Sequence, residues 1–401
     1  MAEHTKLQRN NKVWQVLSFL VLAAYGVACF YLHYMQSIQP AEYENRYFQS
    51  DLPYHISMII EDGWYYSFTA YVYQILYVLG GNSGVLIAVF LTGMSVGTVL
   101  LTKKLLVLED RPKEKELSLT VQALMCNLVM AFFLPLAGKY RYVSYQNGNL
   151  WHNSTYLVMR LIGMATLLYY FRLEKTYGER ISAKNWFILT ALLAVGTGVK
   201  PSFLTVFAPA LALKLLWDLF HRVRFRQIFL LGCTVLPSLG VMLWQNAVLF
   251  GQDTGNGFHF APWYTFSLHA DRPKAAVLCS LAFPLVVVLF SLKKIFSDKQ
   301  YFFAWMMTGI GFFEALLLAE TGSRSRDGNF LWGYLFALFF LYVYSFRVFK
   351  EMLLTRREEK DTKVVSWIPV ALCGLVFLYQ LYCGVYFFLR LLGGETYFMF
   401  G

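Results

Sequence analysis

Four ionisable side chains, Asp51, His55, Glu61 and Asp62, fall within the stretch FQSDLPYHISMIIEDGWYY (Phe48–Tyr66) of a 401-residue chain that is only 15% charged. An acid placed like Asp51 has two uses. It can cap a helix, since Ser50 or Asp51 offers an oxygen to free N–H groups and Pro53 suits a first helical turn. It can also serve as a general base that takes a proton from a hydroxyl, if its neighbours keep it charged. His55 lies one turn further along the same face, able to orient the acid or to contact a phosphate. Glu61 and Asp62 end that helix just before Gly63, where acids oppose the helix dipole. Solvent, a cation or a sugar hydroxyl would compensate them.

Three further stretches carry polar chemistry. YRYVSYQNGNLWHNSTYLVMR (Tyr140–Arg160) spaces His152, Tyr156 and Arg160 by four, along one helical face. Arg160 falls inside an apolar run and needs an anion, either a structural partner such as Glu314 or a lipid-linked phosphate. Asn153-Ser154-Thr155 fits a glycosylation acceptor but abuts that run. GVKPSF puts Lys200 at the end of another apolar run, where snorkelling explains a lysine equally well. AETGSRSRDGNFLWGY gathers Glu320, Arg324, Arg326 and Asp327 in a tight turn, either solvated or able to hold phosphate at a membrane surface.

The elements that must position these groups are membrane helices. The chain is 57% hydrophobic and only 15% charged, against about 25% charged residues in ordinary soluble domains. Runs long enough for a spanning helix lie near 14–32, 84–102, 118–137, 155–171, 186–199, 203–219, 227–249, 275–292, 301–320, 329–346 and 366–389. The segment 67–80 is apolar but short and reads as interfacial or re-entrant. With the N-terminus cytoplasmic, the inner loops are 1–13, 103–117, 172–185, 214–226, 293–300 and 347–365. They carry 25 of the 35 Lys and Arg residues, which fits one orientation throughout. The net charge of +11 is therefore a topology signal and does not point to nucleic acid. The expected fold is an all-α, single transmembrane domain over 1–401, with about eleven spans. Its first outer loop, 33–83, contains interfacial helices.

The outer segments 33–83, 138–154, the turn at Lys200, 250–274 and 321–328 hold the polar residues not needed for topology, Asp253 and His259 included. The six cysteines lie inside apolar runs with no metal spacing and read as small core residues. The basic start MAEHTKLQRNNK precedes an apolar run, with GVAC at Gly26–Cys29 faintly like a lipoprotein box. An uncleaved first helix is the expectation. There is no P-loop, GxGxxG at a strand–helix junction, HExxH or DxD, and no repeat. Energy for a reaction must arrive with the substrate.

SDLPYHI, EDGWYYSFTAYVYQIL, YQNGNLWHNSTY, KPSF and ETGSRSRDGNFLWGY together resemble the bacterial integral membrane glycosyltransferases of the GT-C type. The likeness is to a branch with a D-x-P-x-H block in the first outer loop and a W-H-N-x-T block later. It covers roughly Phe48 to Tyr344. The resemblance implies a multi-helix fold whose catalytic acid lies in the first outer loop, and a sugar donor carried on polyprenyl phosphate or pyrophosphate. Asp51 matches the position of that acid, and Trp151, His152 and Asn153 match the second block. The chain departs from many relatives in having no large C-terminal outer domain and no paired acids at the first-loop position. A divalent cation therefore stays open as a cofactor, as does the acceptor, whether glycan, lipid or protein.

These readings combine into a cell-membrane transferase with its site on the extracytoplasmic side. Asp51 would be the base, and Arg160, Lys200, Arg324 and Arg326 the cations that neutralise a phosphate leaving group. His55, Glu61, Asp62, Trp151, His152, Asn153 and Glu320 complete the substrate-binding candidates. Trp64, Tyr65, Tyr66, Trp151, Trp263 and Tyr264 either stack on sugars or belong to an interfacial belt. The competing readings are a polymerase or ligase of lipid-linked glycans, and a transporter or flippase for lipid-linked sugars.

Overall fold

With no water in a bilayer core, a spanning backbone must satisfy its own polar groups, which restricts it to helices or closed barrels. A computed structural model describes residues 2–40, 47–109, 111, 114–130, 148–250, 257–268, 270, 272–359 and 363–395, with side chains from Lys12 onward except Phe250 and Ser323. Its helices are α1 (Ala2–Ser37), α2 (Asp51–Ile60), α3 (Phe68–Leu79), α4 (Val85–Leu105), α5 (Glu116–Leu128), α6 (Ser154–Glu174), α7 (Ala183–Val199), α8 (Ser202–Phe220), α9 (Phe225–Cys233), α10 (Leu236–Phe250), α11 (Tyr264–Ser267), α12 (Pro273–Phe290), α13 (Leu292–Ser297), α14 (Lys299–Leu317), α15 (Leu331–Glu358) and α16 (Val364–Leu392). The strands among the described residues are β1 (Phe258–Phe260) and β2 (Leu318–Glu320), antiparallel with His259 opposite Ala319. The architecture is that of an all-α polytopic membrane protein.

Eight of the expected spans coincide with segments long and apolar enough to cross a membrane: Lys12–Ser37, Val85–Leu105, Ser154–Glu174, Ser202–Phe220, Phe225–Leu249, Pro273–Phe290, Leu331–Glu358 and Val364–Leu392. The other three differ. The run at 118–137 begins as α5, and its residues 131–137 lie outside the described set, as do Asp253 and residues 138–147. The run at 186–199 forms the 17-residue α7, about 25 Å long at 1.5 Å per residue. The run at 301–320 is helical only to Leu317, because Leu318 turns extended (φ −111°, ψ 140°) and enters β2. The short α3, 12 residues or about 18 Å, falls well below the roughly 30 Å hydrocarbon thickness.

Two further differences follow from local chemistry. The run at 227–249 is broken into α9 and α10 beside Pro237, which has no N–H to give to the carbonyl four residues back. The expected inner loop 347–365 is mostly helix, because α15 runs on to Glu358. All six cysteines are free, four of them buried.

The helices alternate between two ends of the bundle. At one end the basic segments are tied together by charge. Lys103 meets Glu116, Arg111 meets Glu358, and Lys175 meets Glu109. Lys350 is 2.6 Å from Glu114 and donates to the Leu106 carbonyl at 2.9 Å. Lys294 lies 2.7 Å from Glu351, and Lys214 bridges Glu174 and Asp218. The Lys115 ammonium stands 4.5 Å over the Trp14 ring. The opposite end gathers α2, the start of α6, the end of α7, β2 and the start of α15. There Asp51 N donates to His152 O at 2.9 Å, and Phe48 N to Gly394 O at 2.8 Å.

At the centre stands α15, with 94% of its most apolar window buried. It is apolar on every side, as a helix enclosed by others must be. Its rings interlock with neighbours: Phe336 lies edge-on to Phe203 at 5.1 Å, and Phe340 stacks on Phe171 at 5.9 Å. Lipid tails are as apolar as leucine, so helix association rests on close packing through small residues. Gly333 is such a contact, since a Cβ there would lie 2.7 Å from the Ser202 carbonyl oxygen and 2.8 Å from Val206. Gly333→Ala should therefore destabilise the protein by about 1–3 kcal/mol. Gly309→Ala, on α14 with open space beside it, should be neutral or stabilising by up to about 1 kcal/mol. Thermal unfolding of the two variants in detergent checks the contrast.

Candidate active site

Ser50 sets the position of Asp51. It is the N-cap of α2, in extended backbone (φ −157°, ψ 170°), and its hydroxyl accepts from Leu52 N at 3.3 Å. Capping thus falls to Ser50, and the carboxylate of Asp51, first residue of the helix, is used elsewhere. Asn153 receives it. Asn153 is the N-cap of α6, and its Oδ1 accepts from Tyr156 N and Thr155 Oγ1, both at 2.9 Å. With that oxygen committed to the helix start, the amide nitrogen faces the other way and donates to Asp51 Oδ2 at 2.5 Å. Asp51 is half-buried, and its Oδ1 has no donor among the described residues.

Lys200 approaches the same amide from the other side. As the C-cap of α7 it reaches Asn153 Oδ1 at 3.5 Å and Thr155 Oγ1 at 3.3 Å. Its ammonium stands 4.4 Å over the Trp332 ring, a cation–π contact. The His152 ring packs on that indole at 5.8 Å and Tyr156 at 5.4 Å. Burial pushes the Lys200 ammonium down to about 8; Asp51 opposes that shift and Arg324 adds to it. Burial likewise lowers His55 to about 4, with Asp51 opposing and Lys200 and Arg324 reinforcing, so its imidazole is neutral at pH 7. His55 Nδ1 lies 3.0 Å from the Tyr66 hydroxyl, which burial raises to about 12. His152 is also lowered by burial.

The turn after β2 lies close enough to act electrostatically on these groups. Arg324 Nε donates to Asp327 Oδ2 at 2.7 Å, and this pair acts electrostatically on both Tyr66 and Lys200. Four stretches far apart in sequence thus meet at one end of the bundle, contributing Asp51 with His55, Asn153, Lys200 and Arg324. Arg326 is exposed on the same turn.

Several expected binding residues have other work. Arg160 is fully buried, and its Nη1 donates to Gly148 O at 3.1 Å and Asn149 Oδ1 at 3.0 Å. Its guanidinium lies 5.0 Å from the Phe339 ring, so it clamps the chain entering α6 from inside the packed core. The expected pairing with Glu314 is not formed either, since Glu314 accepts from Thr205 at 3.0 Å. Trp151 is 1% exposed and packs on Phe388 at 4.9 Å, an anchor to α16 with no free face for a sugar. Glu320 holds the turn closed by accepting from Asn329 N at 3.2 Å and Asn329 Nδ2 at 2.8 Å. Glu61 and Asp62 are exposed at the far end of the ten-residue α2, about 15 Å along its axis from Asp51. Glu61 is compensated there by the Ser57 hydroxyl at 2.6 Å.

Sequence reasoning missed Trp332 as the platform under Lys200 and Tyr66 as the partner of His55. The signal for Trp332 was its place in GNFLWGY beside Gly333, whose missing side chain lets α15 approach the start of α8. Among the described residues no three His, Cys, Asp or Glu side chains converge as metal ligands.

No protein-family model matches the chain, and no curated protein matches it. The double use of Asn153 gives a direct test. Asn153→Ala removes the cap of α6 and should cost about 0.5–2 kcal/mol of stability, whereas Asn153→Ser keeps a capping oxygen and should recover most of it. Thermal unfolding of the three proteins side by side measures the difference.

Proposed function

We propose that this chain is a membrane glycosyltransferase of the GT-C type, moving a sugar from a polyprenyl-phosphate or pyrophosphate donor to a glycan, lipid or protein acceptor. The observation that carries the reading is a carboxylate and an ammonium held on opposite sides of one amide, Asp51 and Lys200 about Asn153, beside the Arg324 turn. A general base and a phosphate-binding cation are both needed by a displacement at a sugar carbon, and a direct ion pair would silence both.

In this scheme the acceptor hydroxyl gives its proton to Asp51 as its oxygen bonds to the anomeric carbon. The bond from that carbon to the phosphate oxygen breaks, and the lipid phosphate leaves with the electron pair. Lys200 and Arg324 stabilise the charge that develops on it. A single displacement inverts the sugar carbon. Asn153 keeps Asp51 oriented, and neutral His55 with Tyr66 forms the wall of the acceptor side. The chain would cross the membrane eleven times with its N-terminus cytoplasmic. The basic end, rich in Lys and Arg, would then face the cytosol and the site the extracytoplasmic side.

Two outcomes are expected. Asp51→Asn should lower sugar transfer from a polyprenyl-phosphate donor by about 10²–10⁴-fold in reconstituted membranes, with little change in thermal stability. Full activity in that variant removes the base assignment. Movement of the intact lipid-linked sugar across a liposome, without consumption, would replace the transferase reading with a transporter.

The pH profile tests Lys200 separately. Holding a phosphate needs the protonated amine, whose native value is about 8, so kcat/KM should fall as pH rises through about 8. Lys200→Arg should remove that descending limb, because a guanidinium stays charged. Stability moves the other way. The folded value is depressed, so the unfolded chain binds more protons between pH 8 and the ordinary lysine range, and stability rises with pH across that window.

A further inference from the structure

At the basic end, away from the proposed active site, the seam between the ends of α12 and α15 and the beginning of α16 forms an open cleft of about 250 Å³. That is about eight waters' worth at 30 Å³ each, enough for a small polar headgroup but not for acyl chains. Its apolar lining is Phe290, Val348, Met352, Pro369 and Val370. Its charged lining is Lys294, Glu351, Arg356 and Glu359. Lys294 lies 2.7 Å from Glu351, and Arg356 Nη1 3.0 Å from Glu359. All four side chains are between 31% and 52% exposed, so solvent or a ligand reaches them. Outside the cleft, Leu289, Leu292, Val365 and Ile368 present apolar side chains at 72%, 59%, 75% and 47% exposure.

We infer that this cleft binds the headgroup of a zwitterionic aminophospholipid, one phosphate and one primary amine on a lipid anchored along the apolar flank. Basic pockets at the ends of membrane helices commonly take anionic headgroups, but the described lining of this one is charge-balanced, two cations against two carboxylates. An anion alone would face Glu351 and Glu359, whereas a zwitterion matches both signs. Each of these groups can hold more than one partner at once. An ammonium has three donors, a guanidinium five, and a carboxylate about four acceptor positions. The phosphate then lies on Lys294 and Arg356 and the lipid amine on Glu351 and Glu359. A choline headgroup has the same charges but no N–H to give.

The test uses the full chain, purified and delipidated in detergent, then offered an equimolar mixture of phosphatidylethanolamine, phosphatidylglycerol and phosphatidylcholine with matched acyl chains. Bound lipid is counted by native mass spectrometry. The wild-type protein should retain phosphatidylethanolamine about fivefold over either competitor, the scale of one partly exposed ion pair. Glu351→Gln with Glu359→Gln leaves two cations and should turn the preference to phosphatidylglycerol. Ser366→Trp, which fills the cleft from α16, should abolish any preference. Retention in bulk proportion by the wild type, a wild-type preference for phosphatidylglycerol, or an unchanged ranking in either variant overturns the assignment. If neither variant folds, the wild-type ranking alone decides.

Discussion

Asn153 has one side-chain oxygen and one side-chain nitrogen, and the fold uses both. The oxygen caps α6 and takes the weak approach of Lys200, while the nitrogen holds Asp51. Opposite unit charges at 4 Å attract by about 4 kcal/mol at an effective dielectric of 20. Left to themselves, Asp51 and Lys200 would close that gap and neutralise each other. The amide prevents it, and it cannot turn over without exchanging a capping acceptor for a donor. A helix start, a purely structural requirement, thereby fixes the spacing on which the proposed chemistry depends.

Behind that spacing the bundle is closely packed. The central helix α15 brings Trp332 under Lys200 and sends Gly333 into the start of α8. Arg160 pins Gly148 and Asn149 from below, and Trp151 locks the same segment to α16. The charges at the two ends of the bundle are handled differently. At the basic end seven described cations, Lys103, Arg111, Lys175, Lys214, Lys294, Lys350 and Arg356, have a carboxylate close by, an arrangement worth little per exposed pair but well suited to joining loops. At the other end Lys200 has an amide, a hydroxyl and an indole for company, and no carboxylate among the described residues within ion-pair distance.

How much of this the sequence revealed follows from what each feature depends on. Eight membrane helices were legible because length and hydropathy are sums over many residues, insensitive to any one contact. The break at Pro237 was legible in principle from a missing N–H. The strand pair was not, since three residues show no periodicity. At the site, Asp51, His55, Asn153, Lys200 and Arg324 stood out as polar types in apolar surroundings, and they meet in space. Arg160, Trp151 and Glu320 stood out on the same ground but face packed or self-paired partners. Residue type marks a group as costly to bury. Only the partner says whether the cost is met by structure or left for a ligand.

The contrast between Arg160 and Lys200 makes that distinction physical. A guanidinium stays charged when buried and spreads its donors over a fork, so it suits a permanent clamp on backbone carbonyls. An ammonium is a compact, strongly hydrated charge whose proton affinity falls when water is taken away, as Lys200 does. Such a group gains most when an anion arrives, because the anion restores both its solvation and its proton. The bundle places the guanidinium that ties down Gly148 and Asn149 in its core and the ammonium at its rim. The proposed phosphate site at that end depends on this order, and the reverse order would serve neither the fold nor the proposed reaction.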